Sequence, residues 1–119
     1  MDKLTAKCPC CASSMEIEKL RCTSCDVAVE GRIPIPRLAR LSAEDREFVE
    51  LFVRSSGSLK AVAEKMGISY PTIRSRLNRV IQSLEREEET ERSARHQILD
   101  EVEQGKISVD EAVRRLREM

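Results

Sequence analysis

The chain has 119 residues, of which 35% are charged and 3% aromatic, and its formal net charge at pH 7 is zero. A chain of this length forms one ordinary domain or two or three very small ones. With three aromatic residues and no tryptophan, we expect no deep pocket for a small-molecule substrate. No apolar run approaches the roughly 18 residues of a membrane span, and no signal peptide is visible. The sequence therefore predicts a cytoplasmic protein that binds no membrane.

The charges are unevenly placed along the chain. Residues 1–84 carry 14 basic and 10 acidic side chains, whereas residues 85–119 carry 7 basic and 11 acidic ones. A mildly basic front half is compatible with contact to a nucleic acid.

Four of the five cysteines form two Cys-x-x-Cys pairs, Cys8 with Cys11 and Cys22 with Cys25. Two residues between the sulfurs allow one tight turn to aim both thiolates at one ion, and two such turns supply the ligands of a tetrahedral zinc site. All five cysteines precede residue 26, which favours metal ligation in a reducing cytosol over a disulfide framework. A catalytic zinc usually keeps an open position and a histidine or carboxylate ligand. We therefore predict a structural Zn²⁺ held by these four cysteines.

The fifth cysteine, Cys10, lies between the two ligands of the first pair. It could replace Cys11, but Cys-x-Cys spacing makes the poorer chelate, so we expect a free thiol beside the site. Redox sensing through Cys10 stays open as an alternative, because a nearby metal favours the reactive thiolate.

Residues 15–22 alternate apolar and polar side chains and predict a strand that enters the second cysteine pair. Residues 27–33 predict the antiparallel partner strand that leaves it. Together they indicate a small zinc ribbon over residues 1–33. A module of this size cannot build a stable core unaided, so bound metal has to supply much of its folding energy.

Two prolines, Pro34 and Pro36, favour an extended linker over residues 34–41, because proline cannot donate to a strand ladder. Immediately after it, Ser42 and Asp45 resemble a capping box and predict the start of a helix.

A helix-turn-helix is predicted over residues 42–84. The Ser-Ser-Gly run at 55–57 ends its first helix, and a second helix follows over 59–66. Gly67 permits the positive backbone dihedral of the turn. Ser69 can cap a third helix that has a proline in its first turn.

The apolar spacing supports this arrangement, because Ala63 is small enough for two helices to cross closely. At 100° per residue, the apolar side chains of the third helix share one face, which comprises Ile73, Leu77, Val80, Ile81 and Leu84.

The opposite face of the third helix carries side chains of the kind that a recognition helix presents to the major groove. Asn78 can pair with adenine, and Arg74 or Arg79 can take guanine or phosphate. Arg76 and Lys60 are predicted as phosphate contacts. The predicted DNA-binding set comprises Lys60, Tyr70, Pro71, Arg74, Ser75, Arg76, Asn78 and Arg79. A solvated helix surface without a partner would show the same residue types.

Residues 85–95 are almost devoid of apolar side chains and form either a solvated, polar helical linker or a hinge. Their acidic side chains stay solvated, repel DNA or fold back over the arginines. Beyond them, Gly105 and the capping box Ser108–Glu111 predict a helical hairpin over residues 96–119. This hairpin is too short to bury its own apolar face, so we expect a homodimer through the C-terminal helices.

The run Gly67-Ile-Ser-Tyr-Pro-Thr-Ile73, within a wider match over residues 41–77, resembles a bacterial family of unknown function. Its members join an N-terminal zinc ribbon to a helix-turn-helix similar to region four of sigma factors. The resemblance covers residues 8–84 and implies a transcriptional regulator without an established target. The tail resembles the short helical hairpins called SHOCT-like, which implies oligomerisation or partner contact.

Ribbons of this kind usually place glycine after the second cysteine of each pair, whereas Ala12 and Asp26 stand there in this chain. Aspartate tolerates a left-handed backbone, but alanine loses about 1 kcal/mol in it. We therefore expect the first turn to bend differently from the second.

The sequence as a whole predicts a mainly α fold with a small N-terminal β zinc ribbon, a helix-turn-helix and a C-terminal helical hairpin. It contains no paired acid and base, phosphate loop or nucleophile with a partner histidine, so we expect no enzymatic activity. We predict a regulator of transcription that binds double-stranded DNA. The alternative is an adaptor that contacts RNA polymerase or a sigma factor without reading DNA, which the neutral net charge favours.

Overall fold

The structure is a computed structural model that describes residues 4–119, so the first three residues of the predicted ribbon lie outside it. The chain divides into two compact units, one formed by Leu4 with residues 37–87 and the other by residues 5–36 with 88–119. The elements are, in chain order, β1 (Glu16–Arg21), β2 (Ala28–Pro34), a 3-10 helix (Arg37–Arg40), α1 (Ala43–Arg54), α2 (Leu59–Met66), α3 (Tyr70–Glu103) and α4 (Val109–Arg117). This order confirms the predicted fold class.

Strands β1 and β2 form one antiparallel, two-stranded sheet. Arg21 lies opposite Ala28 at the end nearest the second cysteine pair, and Ile17 lies opposite Ile33 at the other end, with a bulge just after Ile17. Within residues 5–34 no residue is fully buried. The sheet therefore brings no apolar core of its own, as expected for a module of this size.

The helix ends lie at the residues that the sequence marks for them. The Ser42 hydroxyl accepts a hydrogen bond from the Asp45 amide at 3.2 Å. The Ser108 hydroxyl accepts one from the Glu111 amide at 3.1 Å. These bonds satisfy amides that have no partner inside the helix. Gly67, with φ of 67°, ends α2 in the left-handed conformation and starts the turn towards α3.

The core of the first unit is built by all three of its helices. Phe48 of α1, Val62 of α2 and Ile73 of α3 are its largest fully buried side chains. The other buried members of the cluster are Leu41, Leu59, Ala63 and Val80. Ile81, predicted on the same face, is 40% exposed, because one helical step beyond Val80 turns it about 100° towards solvent.

Helix α3 continues through residues 85–95 without a break. The structure thus has a helix and not a hinge at this point, and the solvated role of its acidic side chains stays a prediction. None of the helices formed by residues 4–119 is long and apolar enough to cross a membrane.

In the second unit, α4 follows the end of α3 after Gly105, which has φ of 70°. Ala112 is buried, and the Arg115 guanidinium reaches Glu101 at 3.0 Å across the hairpin. Several apolar side chains of the hairpin nevertheless stay exposed, namely Leu99 (50%), Val109 (65%), Val113 (41%) and Met119 (39%).

Candidate metal site and nucleic-acid interface

The two cysteine pairs lie in turns with matching backbone geometry. In the first turn the Ala12 amide donates to the Cys8 carbonyl at 2.8 Å, and in the second the Asp26 amide donates to the Cys22 carbonyl at 3.1 Å. Ala12 and Asp26 both have φ of 60°. The expectation that the first turn bends differently is therefore wrong. The hydrogen bonds of the turn hold Ala12 in the left-handed region despite a cost of about 1 kcal/mol.

A second hydrogen bond in each turn is donated by the amide of the first cysteine. The Cys8 amide donates to the Ser13 carbonyl at 2.8 Å, and the Cys22 amide donates to the Val27 carbonyl at 2.7 Å. In the first turn the Cys10 amide also points at Cys8 Sγ, at 3.4 Å. Cys10 thus contributes a backbone donor to the site, while its own side chain is exposed. Its role as a free thiol stays a prediction.

One thiol in each turn is biased towards its thiolate form. The pKa of Cys11 is lowered, first by the Ser13 hydroxyl, then by the Ser13 backbone and the Cys8 side chain. The pKa of Cys22 is lowered, first by the Cys25 amide and then by the Ser24 amide. Because the thiolate is the form that ligates metal, both turns are suited to a soft cation.

Whether the four thiols suit one zinc ion depends on the donor set and on its placement. Within the described residues 4–119, no three His, Cys, Asp or Glu side chains lie together as a metal-binding group. The structure therefore shows two separate thiol pairs, each inside its own turn. Two matching pairs of soft donors fit the four-sulfur coordination of structural zinc, which would link the two turns. Ligation by Cys8, Cys11, Cys22 and Cys25 together stays a prediction.

The helix-turn-helix face of α3 points outwards as the sequence predicts. Ile73 and Val80 are buried, so the opposite side of the helix faces solvent. Tyr70 is 53% exposed. All but one of the predicted DNA-binding residues are exposed, namely Lys60, Tyr70, Pro71, Arg74, Ser75, Asn78 and Arg79.

The basic and acidic residues of α3 lie in different parts of the helix. Residues 70–84 contain three arginines and no acidic residue, whereas residues 85–91 contain five glutamates. Within residues 4–119, neither Arg74 nor Arg79 takes part in an ion pair. The first half of α3 thus presents positive charge that is not neutralised inside the described chain, and the helix becomes acidic further along.

Arg76 is the exception among the predicted contacts. Its side chain is 18% exposed, and its guanidinium lies 5.4 Å from the centroid of the Phe48 ring. One of its nitrogens is 3.9 Å from the Glu44 carboxylate. These three residues line an open cavity of about 440 Å³ with Glu47, Leu51 and Met66. Phosphate contact by Arg76 stays a prediction, but this side chain already has partners within its own unit.

Two further arginines hold the segment before α1, and neither contact is predicted from the sequence. The Arg46 guanidinium donates to the carbonyls of Ala39 and Leu41, which fixes the end of the 3-10 helix against α1. The Arg40 guanidinium donates to the Glu87 carboxylate at 2.9 Å. Both contacts join segments that are distant in sequence or irregular in structure, and hydrophobic periodicity does not report them.

Two family models match adjacent parts of the chain. The one described as DUF2089 zinc ribbon matches residues 8–39, and the one described as Domain of unknown function (DUF2089)-HTH matches residues 41–87. The chain belongs to the DUF2089 family. No significant match was found among curated proteins or among solved structures.

Membership of the DUF2089 family confirms the predicted order of a zinc ribbon followed by a helix-turn-helix. The two matches together cover about two thirds of the chain and end at residue 87. The resemblance of the tail to SHOCT-like hairpins therefore stays a prediction. A helix-turn-helix indicates nucleic-acid binding or regulation, but the family itself carries no assigned function.

Proposed function

We propose that this member of the DUF2089 family is a cytoplasmic, DNA-binding regulator of transcription whose helix α3 enters the major groove from its N-terminal half. The observation that carries the proposal is the exposed arginine pair, Arg74 and Arg79, on a helix that follows the left-handed turn at Gly67. Exposed guanidinium groups without an internal ion pair are free to neutralise phosphate or to pair with guanine.

The side chains divide into two roles by their position on the face. Asn78 lies in the middle of the exposed row, where its amide can make two hydrogen bonds to adenine. Arg74 and Arg79 flank it and reach either guanine or phosphate. Lys60, in the first turn of α2, would contact phosphate. Tyr70 opens α3 with an exposed ring that can contact the sugar–phosphate backbone.

In this proposal zinc is structural and the protein is no enzyme. The ribbon has no buried residue between positions 5 and 34, so a metal-linked pair of turns supplies the stability that an apolar core would otherwise give. The exposed apolar side chains of the C-terminal hairpin support self-association into a homodimer, because helix-turn-helix proteins commonly bind two half-sites as dimers.

The second candidate is an adaptor that contacts RNA polymerase or a sigma factor. The zero net charge of the chain favours it, because tight non-specific binding to DNA normally needs a basic protein. In that case the helix-turn-helix binds a protein surface and selects no DNA sequence.

Selection from a random duplex library by the zinc-loaded full chain separates the two candidates. The regulator is expected to enrich a discrete sequence, and the logarithm of its binding constant should fall linearly with the logarithm of the salt concentration. A chain that enriches no sequence and shows no salt-dependent affinity for any duplex would rule out the DNA-binding proposal. Recovery of RNA polymerase from DNA-free extract would then favour the adaptor.

A further inference from the structure

We infer that Arg76 is a positioning residue for DNA reading: its guanidinium, held on the Phe48 ring, fixes the rotation of α3 and so aims Asn78 and the flanking arginines at the groove. This inference rests on the proposed function, because it concerns how the reading face is held. It assigns Arg76 a role different from the phosphate contact that the sequence predicts.

The three arginines of residues 70–84 are in different environments. Arg74 and Arg79 are exposed. Arg76 is only 18% exposed, with its charge 5.4 Å above the centroid of a ring that is itself 1% exposed. A cation over an aromatic face gains most when both partners are withdrawn from water. Arg76 therefore has more to lose by reaching for phosphate than either neighbour has.

The contact joins two helices of the helix-turn-helix unit. Phe48 belongs to α1 and lies in the buried cluster that also contains Ile73 and Val80 of α3. The Glu44 carboxylate, one turn earlier on α1, lies 3.9 Å from the guanidinium. Arg76 thus contacts α1 at two points, the buried Phe48 ring and the Glu44 carboxylate. The Glu44 side chain is 87% exposed, so the contact with Phe48 is the stronger of the two.

The position of Arg76 on the helix makes this attachment relevant to the reading face. At 100° per residue, Arg76 lies at the edge of the buried stripe, about 60° from Ile73, and nearly opposite Asn78. A contact at the edge of the stripe adds resistance to rotation of the helix about its axis. A roll of about 10° would shift a side-chain end, about 6 Å from the axis, by about 1 Å. Bidentate pairing of an amide with adenine requires closer placement than that.

The positioning role and the phosphate role predict different salt dependences. Loss of a phosphate contact lowers the salt slope of log K by about 0.9. Loss of positioning weakens binding to the preferred sequence, leaves the number of phosphate contacts unchanged and leaves non-specific binding almost unaffected. The preferred and a scrambled duplex, measured over a range of salt concentrations, therefore separate the two roles.

The test compares Arg76→Met, which keeps an unbranched apolar chain without the charged end, with Arg76→Lys, which keeps a cation over the ring. For the zinc-loaded full chain we expect Arg76→Met to weaken binding to the selected duplex about tenfold, with an unchanged salt slope and unchanged affinity for the scrambled duplex. Arg76→Lys should restore most of the affinity. The matched control is Lys60→Ala, which removes an exposed side chain assigned to phosphate and should lower the salt slope.

A salt slope that falls in Arg76→Met, an affinity that does not change, or a failure of Arg76→Lys to restore binding would each overturn the inference. A second variant, Phe48→Leu, checks the contact itself. In its background Arg76→Met should have a smaller effect on DNA affinity and on thermal unfolding than it has in the wild-type chain, and fully additive effects would contradict the contact. If the wild-type chain binds no duplex, the proposed function and the positioning role are both wrong. The coupling between Arg76 and Phe48 in thermal unfolding would still be measured in that case.

Discussion

The Arg40 guanidinium donates a 2.9 Å hydrogen bond to the Glu87 carboxylate, and these residues lie 47 positions apart in the chain. The pair joins the 3-10 helix to α3, and its side chains are 28% and 38% exposed. A partly exposed ion pair contributes at most about 1 kcal/mol. We therefore expect Glu87→Gln to lower the free energy of unfolding of the first unit by about 0.5–1 kcal/mol. Urea unfolding followed by circular dichroism measures this loss. Glu88→Gln, an exposed neighbour on α3, is the control, and an equal loss in both variants would contradict the role of the pair.

Ala12→Gly should strengthen zinc binding. Ala12 has φ of 60°, and glycine removes a strain of about 1 kcal/mol at that dihedral. Because folding of the ribbon is coupled to metal binding, the zinc dissociation constant should fall about fivefold. Competition with a chromophoric chelator measures it. Ala28→Gly, in ordinary strand backbone of β2, is the matched control and should weaken binding, so an equal response in both variants would contradict the strain argument.

The two neighbouring cysteines of the first turn should differ in their effect on metal content. Cys11→Ser removes a predicted ligand and should abolish stoichiometric zinc, whereas Cys10→Ser keeps the backbone amide that points at Cys8 Sγ and should retain one zinc per chain. Elemental analysis of the purified protein measures the ratio. Loss of zinc in Cys10→Ser with retention in Cys11→Ser would mean that Cys10 is the ligand.

Arg79→Ala should weaken DNA binding almost equally for all sequences if it meets phosphate, with a salt slope about 1 smaller than that of the wild-type chain. If it meets guanine, the loss should be confined to one position of the selected site. Fluorescence anisotropy over a range of salt concentrations gives the salt slope. The same measurement on duplexes with single base changes gives the loss at each position of the site. Arg54→Ala, at the exposed end of α1, serves as the control because it lies outside the predicted reading face.

Acidification should loosen the C-terminal hairpin through Glu111. Hydrogen bonds from Arg114 and then Arg115 hold the pKa of Glu111 below its ordinary value of 4.5. Its contribution to stability is therefore complete above that value and is lost as the pH falls through the lower, folded value. Amide exchange in α4, followed by NMR as the pH is lowered, should accelerate in this window. Glu111→Gln should reduce the acid dependence, and Glu103→Gln should not.

Local signals allowed the sequence to predict much of the fold. Ser42 and Ser108 cap helices, and Gly67 ends one, because capping and positive φ depend on a few adjacent residues. The polar stretch 85–95 was ambiguous because it lacks an apolar period. Its glutamates and arginines nevertheless have high helix propensity, and the helix continues through it.

The candidate site was predictable only in part. Exposure of Arg74, Asn78 and Arg79 follows from helical periodicity. The withdrawal of Arg76 onto Phe48 does not, because it depends on how α1 crosses α3. The equal geometry of the two cysteine turns was also missed, since a propensity argument for Ala12 alone leaves out the hydrogen bonds that hold the turn.

Leu41 precedes the Ser42 cap, yet its side chain is only 8% exposed and lies in the same buried cluster as Phe48. A shortened protein that begins at Ser42 and ends at Leu84 would leave a hole in that cluster and would also lack the Arg40–Glu87 ion pair. Shortened versions intended for crystallisation or NMR should therefore begin no later than Arg37 and end no earlier than Glu87.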